Sequence, residues 1–322
     1  MSIKIFSFIT CLLICNICFA KIWRINNTPG IVADFTTAQT AHDAVTVLAG
    51  DTMHLEPSIT SYGSLSASKR LIWISTGAFL SSHPGTQASL NAGSVTGISA
   101  NAGSDNSVFS VNCTGYIYGY ASGIRIERSY AVSVNFQTGG NNAVILNSYL
   151  TGDLYIGAGT NVIIVNNIVE GQLTTVSGTS SIITNNVFNA VTPSTSTVNN
   201  STLQNNIFNK GATYTFVNCT VEYNMSAAAT SLPSGNNNQN AINMTTVFIN
   251  NNGNTDGDFV LKAGSPAIGS GTPASTDMGA YGGGSPFKIA VQPAIPSIYR
   301  LSAPAVPAGN TMSVIFSTKS NN

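Results

Sequence analysis

Charge is scarce in this chain. Its 322 residues include 12 Lys and Arg against 12 Asp and Glu, so 7% are charged and the formal net charge is zero. Nucleic acid demands a basic face, and that class of partner is excluded. The three histidines, His42, His54 and His83, form no His-Glu-x-x-His pair. Neither a Gly-x-Ser-x-Gly elbow nor a phosphate-binding glycine loop occurs. There is also no leucine framework and no apolar stripe of 3.6-residue period, which excludes leucine-rich and helical repeats. Long apolar runs are missing as well, except at the N-terminus.

There, Lys4 precedes the almost wholly apolar Ile5 to Phe19, and Cys18-Phe19-Ala20 ends in a small residue. A positive start, a short apolar run and a small residue at the cut describe a secretory signal. Residues 1–20 are therefore expected to be removed, which makes the protein secreted or cell-surface. Ile14 and Ile17, before Cys15 and Cys18, are not the small residues that a lipid-anchored cysteine needs. No later segment is apolar enough to span a bilayer.

What is abundant is Asn, Ser, Thr and Gly in a repeat. Pairs of residues recur as Arg128-Ser129, Asn147-Ser148, Asn166-Asn167, Asn185-Asn186, Asn205-Asn206 and Tyr223-Asn224. From Ser129 onward the steps are 19, 19, 19, 20 and 18 residues. Each pair lies between short apolar runs, as in Val162-Ile163-Ile164-Val165-Asn166-Asn167-Ile168-Val169. Such runs are too short for helices, and Gly and Ser separate them, so they read as strands of three to five residues joined by tight turns. Two or three strands per period describe a parallel β-helix, in which each coil buries its apolar side against its neighbours. Asn suits the corner because it tolerates positive φ. Coils stack about 4.8 Å apart, so Asn side chains at one corner can bond to one another. The expected ladder is Asn147, Asn166, Asn185 and Asn205, with Arg128 breaking the column.

With that pattern the chain resembles the right-handed parallel β-helix proteins of the pectate-lyase-like group, over roughly residues 95–230. The group holds lyases, hydrolases, adhesins and proteins without catalysis, so the resemblance implies the fold and leaves the activity open. The expected architecture is all-β: a right-handed parallel β-helix solenoid of about ten coils of 19 residues, spanning 21–285. Phe35 to Val45 is expected to form a short amphipathic capping helix, and Gly50-Asp51-Thr52 to turn into a first strand at Met53. Asp258-Phe259-Val260-Leu261 through Asp277-Met278-Gly279-Ala280-Tyr281 resembles the closing segment of secreted β-helix proteins of Bacteroidetes type, which implies that Asp277 pins a turn. The Pro-rich tail, 286–322, is expected to pair Ser297–Leu301 with Met312–Thr318 as a hairpin. After cleavage Cys113 and Cys219 remain, about five coils or on the order of 25 Å apart. A disulfide needs Cα atoms within roughly 7 Å, so both are expected to be free, buried thiols.

Enzymes of the resembled group mostly cleave acidic polysaccharides, with clustered carboxylates for calcium or for acid–base work and an Arg or Lys base. No acids stack directly in this repeat. Asp153 and Glu170 lie two positions out of register in adjacent coils, with Arg128 and Lys210 as candidate bases. Asn252-x-Asn254-x-Asp256 has the spacing of half a calcium loop, but Ala263 stands where the closing carboxylate would be. No cofactor is expected, calcium excepted if the protein is a lyase. Tyr116, Tyr118 and Tyr120 alternate and share one face: outward they would form a sugar-stacking strip, inward they would fill the core. Tyr130, Tyr149, Ile168, Val187, Ile207 and Met225 form an apolar column assigned to the core. The leading expectation is a non-catalytic protein binding glycan or another surface partner through a solenoid face. The alternatives are a polysaccharide lyase or glycosidase, and a structural or ice-binding solenoid, for which Thr174-Thr175 and Thr179 are the hints of a threonine array.

Overall fold

The computed structural model describes residues 20–190, 195–250, 253–304 and 311–321. Most of the expected signal segment lies outside that range. The remainder is a parallel β-helix of about nine turns, with three sheets of ten, eight and six strands running along its length. One coil shows the plan: Val162–Val165 lies in the ten-stranded sheet, Ile168–Val169 in the eight-stranded sheet and Leu173–Thr175 in the six-stranded sheet. Strands pair in register one period apart, as Ile164 with Ile183 and Leu154 with Leu173. Alternate residues point inward, and Ile126, Ile145, Ile164, Ile183 and Leu203 fill one wall of the core.

The first strand is Ile22–Ile25, ahead of the helix, and it pairs with Thr52–Leu55. The helix is shorter than expected, Ala38–Asp43, and lies within the first turn rather than before it. Thr37 caps it by accepting from the Thr40 N–H, and Ala38 and Ala41 enter the core. Asp51 ties this end together, accepting from the backbone N–H groups of Lys21 and Leu48 and from the Trp23 indole.

The residue pairs divide their labour. The first member takes positive φ: Arg128 at 46°, Asn147 at 52°, Asn166 and Asn185 at 54°, Asn205 at 58° and Tyr223 at 53°. The second member makes the continuous buried ladder; of the expected Asn147, Asn166, Asn185 and Asn205, Asn205 donates to Asn185 Oδ1 at 3.5 Å. The backbone N–H groups of Ser148, Asn167, Asn186 and Asn206 donate to the Oδ1 atoms of Asn167, Asn186, Asn206 and Asn224, at 2.9–3.0 Å. The Nδ2 groups of Asn167, Asn186 and Asn206 donate to the same oxygens at 2.9–3.0 Å and back to the carbonyls of Ile145, Ile164 and Ile183. Asn238 closes the ladder, and Ser148 and Ser129 extend it backward. Asn167, Asn186, Asn206 and Asn224 are wholly buried, where an unmet amide is costly.

The last third does not simply close the end. Residues 244–250 and 253–291 lie along the eight-stranded sheet as a strap, from the last coils to the loop at Ala78. Val247, Phe248, Phe259, Met278 and Ala280 pack on Tyr149, Ile168, Val187, Ile207 and Met225 in a second apolar core. That column is thus buried on the outside of the coil, not in its interior. The first-position asparagines hold the strap: Asn166 donates to the carbonyls of Ala280 and Gly282, Asn185 to that of Asp277 and Asn205 to that of Thr272. Asp277 accepts from the Gly269 N–H. Gly279 has φ +83°, and a Cβ there would lie 2.8 Å from Ile207 Cδ1. Beyond the strap, Ser297–Ser302 and Ile315–Lys319 pair antiparallel.

Replacing Asn186 with Ala removes the acceptor for two buried N–H groups and its own donations. The expected cost is about 3 kcal/mol by denaturant unfolding, as for buried partners left unmet. Asn147→Gly, at a positive-φ corner that glycine accepts, should cost under about 1 kcal/mol.

Candidate functional site

Two regions collect polar chemistry. The first lies under the strap. Glu170 sits at the corner after Ile168–Val169, where it accepts from the Tyr149 hydroxyl at 2.7 Å and from the Asn189 amide. Gly253 crosses directly above it, with φ +73° and no room for a Cβ against the carboxylate. Burial pushes the Glu170 carboxyl above its ordinary range, against the pull of its two hydrogen bonds and of Lys210. Burial, then the charge of Glu170, raises the Tyr149 phenol. Beside it the buried Asp256 meets His83 Nε2 at 2.5 Å and the Ala290 N–H at 2.5 Å.

The expected catalytic set is not assembled here. Asp153 is exposed and accepts from the Gln172 N–H at 2.8 Å, sharing no partner with Glu170. Arg128 is tied to the tail, donating to the carbonyls of Asn321 and Gln292. Lys210 reaches Glu170 through its charge alone among the interactions of that carboxyl. The residues of the calcium half-loop are also placed apart. Asn252 lies outside the described residues, Asn254 donates its backbone N–H to Asp258, and Asp256 turns inward to His83. Among the described residues no three His, Cys, Asp or Glu side chains group as metal ligands. Cys113 is buried and Cys219 half-buried, both free; Cys219 is less enclosed than expected because it lies in the last coils. Of the threonines, Thr175 and Thr179 are buried and bonded within the protein, and Thr174 lies on the outer face of the six-stranded sheet.

The second region is the outer face of the six-stranded sheet, where described side chains are exposed. Strand Tyr116–Gly119 alternates exposed and buried, with Ile117 inside. Tyr116 and Tyr120 are 51% and 40% exposed and Tyr118 lies between them, so the outward alternative is the one realised. The rings are near-parallel, with centroids 6.0 and 6.3 Å apart. Glycine and serine surround this row in the sheet. Tyr118 pairs with Ser99 on one side and Asn135 on the other, and Asn135 pairs with Tyr155. The row is thus a ridge between two shallow grooves of about 260 and 300 Å³. The larger is floored by Val134 and walled by Tyr116, Tyr118, Tyr155 and Asp153.

Sequence reasoning missed Tyr155, although two periods from Tyr118 lead to it. It also missed the strap over Glu170, for which the sequence carries no local signal. A search among protein families, curated proteins and solved structures finds none that matches the chain. Among the described residues no helix is long and apolar enough to cross a membrane.

Glu170 supplies a pH test. A carboxyl raised on folding binds its proton more tightly in the native state, so stability falls as pH rises from the ordinary value of about 4.3. Glu170→Gln mimics the protonated carboxyl, with one oxygen to accept from Asn189 and an amide facing the Tyr149 hydroxyl, and removes the buried charge. In thermal unfolding it should match wild type at acidic pH and be the more stable at neutral and higher pH. A wild-type advantage at pH 8 would contradict the assignment.

Proposed function

We propose that this chain is a secreted or cell-surface, right-handed parallel β-helix protein that binds glycan along its six-stranded face. The export reading is supported by the N-terminal pattern from Lys4 to Ala20, and the kinship with pectate-lyase-like proteins by the repeat. The observation that carries the binding reading is the outward tyrosine row, Tyr116, Tyr118 and Tyr120, flanked by two grooves. An aromatic ring offers a large apolar surface with a polar hydroxyl at its edge, which suits the alternating C–H and O–H faces of a sugar. Ser66, Ser99 and Asn135 supply hydrogen-bonding groups on either side.

The arrangement is a platform and not an enclosed site. It recognises an extended chain laid on a rigid sheet, and little of its binding cost goes to ordering the protein. The strap leaves this face open because it occupies the eight-stranded one.

Tyr118→Ala removes the centre of the ridge while leaving Ile117 and the core in place. Affinity for the glycan found in a panel of neutral, amino and acidic oligosaccharides should drop about tenfold, in the range of one aromatic contact. Retained affinity in this variant, or silence of the folded wild type across the panel, would overturn the reading.

A further inference from the structure

Among the described residues, neither groove beside the tyrosine row is lined by a Lys, Arg or His, and the charged residue that lines them is Asp153. Its place is fixed by the sheet: its backbone N–H donates to Ser133 Oγ at 3.0 Å and its Oδ1 accepts from the Gln172 N–H at 2.8 Å. Ser133 in turn pairs with Tyr116. The larger groove therefore sets three phenol rings, Tyr116, Tyr118 and Tyr155, around a floor with a carboxylate at its edge. Aromatic faces attract cations through the ring quadrupole, and a neighbouring carboxylate adds to that field. From the described residues lining the grooves, an acidic chain would meet a like charge and no cation.

From this we infer that the groove recognises a protonated amine, carried by an amino-sugar glycan, and that Asp153 determines this specificity. The inference rests on the glycan-binding reading of the same face and narrows it. Asp153 thus acts as a selector on the open face, where its sequence neighbourhood with Glu170 suggested catalysis.

Calorimetric titration of the whole mature chain would use four probes: oligomers of glucosamine, of N-acetylglucosamine and of galacturonate, and oligolysine. Glucosamine oligomers should bind most tightly and galacturonate oligomers least. Asp153→Asn, which keeps the acceptor for Gln172, should weaken the glucosamine oligomer about fivefold, the scale of an exposed ion pair, and leave the N-acetylated one unchanged. Equal affinity for free and acetylated amines, or an Asp153→Asn variant that binds glucosamine oligomers as wild type does, overturns the amine assignment and leaves glycan binding intact. Tight binding of the galacturonate oligomer also overturns it. Oligolysine binding as tightly as glucosamine oligomers shows that the amine is read on a peptide and overturns the glycan source. Absence of binding to all four removes both readings.

Discussion

The buried asparagine ladder is the constraint on which the rest of the solenoid depends. In a short-stranded coil, two residues of Ile168–Val169 or Val187–Phe188 offer few backbone bonds to hold one turn over the next. A slip of one residue would send the core face outward. Asn167, Asn186, Asn206 and Asn224 prevent it because the oxygens of the last three each receive two N–H groups from the preceding coil, that of Asn167 receives one from Ser148, and all four amides donate back. Every bond is buried, so a slipped register leaves amides unmet at a cost of about 1–3 kcal/mol each. Chains of such bonds also polarise one another.

Once the register is fixed, the three faces take different fates. The first-position residues leave the ladder and, as Asn166, Asn185 and Asn205, reach out to the strap. The strap covers the apolar outer column from Tyr149 to Met225, each buried side chain contributing about 1.5–3 kcal/mol. The eight-stranded face is thereby spent on stability, and Glu170 is enclosed with it. The six-stranded face keeps its tyrosines in solvent. A coil corner that serves as a hydrogen-bonding hub inside and a docking rail outside explains why the pair is so often Asn-Asn.

The parallel coil, its period and its strand positions were legible because apolar runs and Asn pairs recur at 18–20 residues. The division of labour inside the pair was misassigned, although its signal was present. The second position is always Ser or Asn, from Ser129 to Asn224, whereas the first admits Arg128 and Tyr223. Positive φ can be imposed on those side chains by the fold, while the ladder needs a short polar one. The strap was hidden because an apolar outer column looks like core when strands are two residues long. Glu170, Tyr149 and Gly253 meet through a segment far away in sequence, as do His83 and Asp256, which are 173 residues apart. The direction of the tyrosine row depended on one alternation, with Ile117 inside, and the small Gly119 proved to be accommodated against Phe136.

The most direct test of the ladder is native-state hydrogen exchange at the backbone amides of Ser148, Asn167, Asn186 and Asn206. If the ladder holds the register, these four should exchange together, only through global unfolding, with the free energy measured by denaturant. Independent exchange at much lower free energies, while the flanking strand amides stay protected, would show that the coils are held without it.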